Sequence, residues 1–166
     1  LGCPECMYNL ALCLERGQGC APDVKAATGW LFRAIDCPVV SAEDLPIPLY
    51  CRALGIAQAH NAIGSRYNDG IGCAKDENLA LEHWKKGATL GCSSAMNMLA
   101  ICYENGSHGL LESLPKARDL FMQAATNLQS STEAMVNLAR LYGELGLLKQ
   151  SLLWLDAAVN WGDTSA

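Results

Sequence analysis

The sequence predicts an all-α fold, a solenoid of about four antiparallel helix pairs, and three observations carry that prediction. One stretch recurs four times along the 166 residues in near-constant register. Within each copy apolar residues return every three or four positions, the spacing of one helical face. Three copies also place a glycine where a first helix should stop, and two place an aspartate where a second should start.

The repeats span about 3–37, 56–91, 92–128 and 131–162 of one array over residues 1–166. The second is the clearest. Stepping back 53 residues superposes Cys6 on Ala59, Leu10 on Ile63, Ala11 on Gly64 and Leu14 on Tyr67. The same step carries Gly17, Gly19 and Cys20 onto Gly70, Gly72 and Cys73, and Asp23, Ala27 and Leu31 onto Asp76, Ala80 and Trp84. Stepping forward 36 puts Ala95, Leu99, Ala100, Tyr103 and Gly106 in the corresponding places. One added loop residue then brings Ala117 onto Ala80 and Phe121 onto Trp84. The fourth copy carries Ala134, Leu138, Ala139 and Tyr142, then Ser151, Leu155 and Ala158 after a shorter loop.

Small residues at 11, 64, 100 and 139 face bulky ones at 31, 84, 121 and 155, so the two helices of a pair should approach closely. Gly17, Gly70 and Gly106 fit helix C-termini that need positive φ. Asp23 and Asp76 fit N-caps. Residues 38–55 are an insertion, either a surface loop or a binding feature, in which Leu45-Pro46-Ile47-Pro48 must be extended or kinked. The second repeat's helix is free to start early, just after Pro48. Both ends copy the joins between repeats, which predicts a piece of a longer array.

The pattern A-x-x-x-[LI]-[GA]-x-x-[YL]-x-x-G-x-G-x-x-x-D-x-x-x-A-x-x-x-[WL] resembles the Sel1-like repeat family; the last copy is closer to a tetratricopeptide repeat. The resemblance implies an α-α superhelix, a right-handed solenoid, and work as an adaptor scaffold in protein complexes rather than as a catalyst. The expected partner is therefore a protein, through a peptide or a helix. Two other readings remain open: a docking or regulatory domain of a larger enzyme, and a secreted repeat protein stabilised by disulfides.

The bulk composition narrows the classes. Apolar residues make up 51% and charged residues 17%, with a net charge of −5 and no basic block. A nucleic-acid surface would need cations to displace phosphate counterions. No stretch approaches the roughly 18 uninterrupted apolar residues of a membrane span. Nine cysteines, an odd number without a regular framework, read mainly as reduced core thiols in a cytoplasmic or organelle-matrix compartment.

Little in the chain suggests chemistry. Cys3-Pro4-Glu5-Cys6 has the spacing of half a zinc site, but no second C-x-x-C follows, and Cys6 holds a repeat-core position. His60, His83 and His108 occupy unrelated repeat positions, so no shared site is expected. The G-x-G pairs at 17/19 and 70/72 follow helices rather than strands and read as turns. No cofactor, metal or catalytic group is expected. The candidate partner-binding residues lie on the first helix of each pair: Asn9, Asn61, Asn97 and Asn137, with Arg66 and Arg140 as cations beside them. Asn9 and Asn137 resemble the asparagine with which tetratricopeptide grooves bond a ligand backbone. Its amide offers both a donor and an acceptor.

Overall fold

A computed structural model of the chain describes residues 3–37, 49–127 and 131–164, and every regular element in them is an α-helix. The chain divides into two compact units, 1–92 and 93–166. The first contains α1 (Pro4–Arg16), α2 (Val24–Ile35), α3 (Leu49–Asp69) and α4 (Glu77–Thr89). The second contains α5 (Ser93–Asn105), α6 (Leu114–Thr126), α7 (Thr132–Glu144) and α8 (Leu148–Thr164). Within each unit consecutive helices pair, and the second pair stacks on the first. The fold is an all-α solenoid.

The helix ends follow from local chemistry. Cys3 caps α1, its Sγ accepting the Cys6 N–H at 3.4 Å, and Pro4 stands at the start where no N–H is needed. Cys3-Pro4-Glu5-Cys6 is thus the start of a helix. Asp23 accepts from Ala26 N–H at 2.8 Å, and Asp76 from Asn78 and Leu79 at 2.9 and 3.0 Å. Gly17 closes α1 at φ 67°, with Gly70 and Gly106 equivalent at 71° and 60°. Of the insertion, residues 49–55 form the opening turns of α3, which explains that helix's 21 residues against 13 in α1. Residues 38–48 lie outside the described residues.

The close approach of paired helices is visible at Gly64. A Cβ there would lie 2.6 Å from two atoms of the Trp84 indole and 3.1 Å from the Ala80 carbonyl oxygen. Trp84, Leu31 and Phe121 are fully buried, and each contributes about 2–3 kcal/mol by leaving water. In the first unit Ala11, Ala27, Leu31, Ala59 and Ile63 form the core. In the second, Ala100, Ala117, Phe121, Leu138 and Leu141 form one cluster, and Ala124, Ala134, Met135 and Ala158 part of another. Leu155 is 41% exposed where its equivalent Phe121 is sealed, because no described helix packs on the outer side of α8.

Two expectations need correction here. Among the described cysteines only Cys92 and Cys102 are buried, while Cys6 and Cys20 are exposed, so the thiols are not mainly core residues. Cys6 shares the register of Ala59 and Ala134, which are sealed against the preceding helix pair. No described helix precedes α1 to cover it.

Gly64→Ala should destabilise the chain by about 1–2 kcal/mol, because overpacking against the indole outweighs alanine's helical preference. Gly29→Ala should do the opposite by about 0.5–1 kcal/mol, since its added Cβ meets nothing within 4 Å. Urea unfolding of both variants checks the pair; the same sign for both would refute the packing argument.

Candidate functional site

The first helices of the second unit, α5 and α7, leave a cleft between them on the face opposite their cores. One part, of about 460 Å³, is lined by Met98, Ile101, Val136 and the amides of Asn97 and Asn137. The adjoining part, of about 530 Å³, shares Ile101 and Asn137 and is lined by Glu104, Glu112, Arg140 and Glu144. Its apolar and charged ends therefore meet at Asn137.

The polar groups are held in place. Asn137 Nδ2 donates to Asn97 Oδ1 at 3.0 Å, and Asn97 is only 2% exposed. That leaves Asn97 Nδ2 as a donor and Asn137 Oδ1 as an acceptor, neither in another hydrogen bond among the described residues. A peptide group needs that complement. Arg140 reaches both oxygens of Glu104 across the helices, at 2.9 and 2.7 Å, and Glu144 one turn on at 2.8 Å. These hydrogen bonds raise the Arg140 pKa further and fix its guanidinium at the charged end.

The six sequence candidates have different settings. Asn97, Asn137 and Arg140 come together in this cleft. In the first unit Asn9 is exposed on α1, and Asn61 Oδ1 is buried on α3 without a hydrogen bond. Arg66 is 4% exposed, its guanidinium donating to Thr28 Oγ1 and to Glu15, each at 3.0 Å. Its repeat position is that of Cys102 and Leu141, both sealed, which is the signal that it points inward. Of the methionines, Met98 lines the cleft while Met96 and Met135 pack in the core. Glu104 and Ile101 were not among the candidates.

Comparison with known proteins decides the family. The sequence model of the Sel1 repeat matches residues 4–38, 57–92, 93–127 and 132–161. The chain belongs to the Sel1 repeat family. Repeats of this family generally serve as protein-interaction scaffolds rather than catalysts. A Sel1 repeat protein from Oxalobacter formigenes has a similar structure, with TM-score 0.71 and 22% identity. The likeness covers 96% of this chain and 41% of that one. The protein c5321, a protective antigen of uropathogenic Escherichia coli strains with this repeat fold, gives 0.56 and 20%, over 98% of this chain and 39% of its own. The chain thus spans about two-fifths of the length of either structure. No curated protein matches its sequence. No helix among the described residues is long and apolar enough to cross a membrane.

The second Sel1 repeat carries an arrangement that the sequence reading missed. His60 and His83 meet with Nδ1 atoms 2.9 Å apart, both rings buried, and Tyr67 lies beside His83. The expectation that no two histidines share a site was wrong. The antiparallel pairing that sets Gly64 on Ala80 and Trp84 also brings residue 60 to residue 83. Register held the clue. Residue 60 is Met7, Met96 and Met135 in the other copies, and residue 83 is Trp30, Leu120 and Trp154, all at the core. One ring donates and the other accepts, so two protonated rings cannot keep the contact.

Burial, then the facing His83 and Lys86, lowers the His60 pKa from 6.5 to about 4, with Glu82 opposing. Burial and then Lys86 lower that of His83. The unfolded chain therefore binds more protons than the folded one once pH falls below 6.5. Stability should be full above pH 6.5 and be lost toward pH 4, by on the order of 2 kcal/mol at pH 5. Thermal unfolding at pH 7.5 and 5 should show this drop in the parent chain and little of it in His60→Met/His83→Leu. An equal drop in both would rule the pair out as its source.

Proposed function

We propose that the chain is a non-catalytic scaffold that holds a segment of another protein in the cleft between α5 and α7. The observation that carries this reading is the Asn97–Asn137 pair. Its unbonded donor, on the buried Asn97, and its unbonded acceptor, on the part-buried Asn137, sit where the apolar and charged halves of one continuous cleft join. An extended segment could hydrogen-bond its backbone there and set alternate side chains against Met98 and Val136. Val136 is 44% exposed, so this apolar surface is open in the chain as it stands. Arg140 is half-exposed in both its ion pairs, which contribute about 1 kcal/mol or less each to folding. They act here to shape one wall of the cleft.

Selection of displayed random dodecapeptides on the immobilised chain tests this. Binders should lose affinity by about tenfold or more on Met98→Glu/Val136→Glu, whose substitutions put charge on the cleft floor. The variant should fold, because Val136 is exposed and Met98 only partly buried, and circular dichroism checks that it does. Binders that hold equally well to both proteins would place recognition elsewhere and overturn the reading.

A further inference from the structure

We propose that the segment held in this cleft is cationic at one end, with a lysine or arginine at the Glu112 end and apolar side chains at the Val136 end. This rests on reading the cleft as a peptide groove, and adds what the groove selects.

The argument is one of charge and order along a single path. Four carboxylates line the joined cleft, Glu104, Glu112, Glu133 and Glu144, against one cation, Arg140. Arg140 is already shared between Glu104 and Glu144, so one positive charge serves two negative ones. Glu112, on the loop before α6, has no ion pair among the described residues. The loop that carries it is tied to α5 by the neighbouring Ser113 N–H, which donates to the Tyr103 carbonyl oxygen at 2.7 Å. A cation between Glu112 and Glu144 would relieve carboxylate repulsion that Arg140 leaves uncompensated. An anionic segment would add to it.

The Asn pair sets the spacing. A residue bonded through its backbone at Asn97 and Asn137 has the apolar wall of Met98 and Val136 on one side and Arg140 with its glutamates on the other. A segment lying along the cleft therefore meets a mainly apolar wall with one carboxylate, Glu133, first and three carboxylates second. Reversing the order would set an apolar side chain among Glu104, Glu112 and Glu144 and leave the cation with Glu133 alone beside Met98 and Val136. The three carboxylates would then lose water without gaining a partner.

The same peptide selection, read by composition, separates the two proposals. The enriched cleft-dependent peptides should carry a lysine or arginine on one side of an apolar pair. Their affinity for Glu112→Lys/Glu144→Lys should fall about tenfold or more at low salt, and by less at 0.5 M salt, where screening is short-ranged. Asp119→Lys/Asp156→Lys, which makes the same change in net charge outside the cleft, should leave it within about twofold. Both variants are at solvent-exposed positions and are checked for folding by thermal unfolding. Cleft-dependent peptides that are neutral or acidic would overturn the cationic partner and leave the groove standing. Equal losses on both lysine variants would show attraction to the net charge alone and overturn it too. A pool with no cleft-dependent member would overturn the groove, and this inference with it.

Discussion

The structure depends on how closely the two helices of each pair approach. At Gly64 there is no room for even a methyl group beside Trp84, and Ala11, Ala100 and Ala139 are sealed at the equivalent places. Because the backbones are this near, one large side chain in each of the first three pairs, Leu31, Trp84 and Phe121, fills the space between them, and alanines close the rest. A second close approach joins neighbouring pairs of the first unit. A Cβ at Gly55 on α3 would overlap the backbone of Pro4 and Glu5 at the start of α1. Paired and stacked so tightly, the helices have little freedom to slide, since packed interiors give way only in discrete steps. The outward faces of the first helices are therefore held in fixed register, as a binding surface requires.

That register makes the two units chemically different on one backbone plan. Glu15 and Glu104 occupy the same repeat position, and each pairs with an arginine from the next first helix. The arginines are one residue out of step. Arg66 stands at the position of Leu141, and Arg140 at that of Ser65. One residue is about 100° around a helix. So Arg66 turns into the structure, buried against Thr28, while Arg140 turns out to the cleft. A buried guanidinium held by neighbours adds to the fold and offers little to a partner. An exposed one between two glutamates does the reverse.

Much of this was legible in the sequence, and the failures have a common cause. The helix pairs, their glycine stops, the aspartate caps and the small-against-bulky contacts all follow from backbone geometry that a repeat must preserve. Most were read correctly from spacing alone, but Leu155, 41% exposed, does not take the sealed place its register assigned. What was missed depends on contacts between positions far apart in sequence. His60 meets His83 across a helix pair, and Asn97 meets Asn137 across a stack. Aligning the copies shows that His60 replaces a core methionine and that Arg66 takes an apolar position, but it does not give the partner. The cysteines misled for a simpler reason. Cys6 has the register of a core alanine, yet core status also requires a neighbouring helix on that side, which α1 does not have among the described residues.

The histidine pair shows what such a replacement does. Where the other copies carry methionine at one position and tryptophan or leucine at the other, the second sets two polar rings in hydrogen-bond contact. Near neutral pH the contact satisfies one nitrogen of each ring, so the polar substitution costs little. Its difference from the apolar version emerges only with acid, when protonation adds a charge that the surrounding core does not solvate. The first unit thus carries a pH dependence that the repeat plan does not require. The second unit, with Met96, Leu120, Met135 and Trp154 at these positions, does not share it.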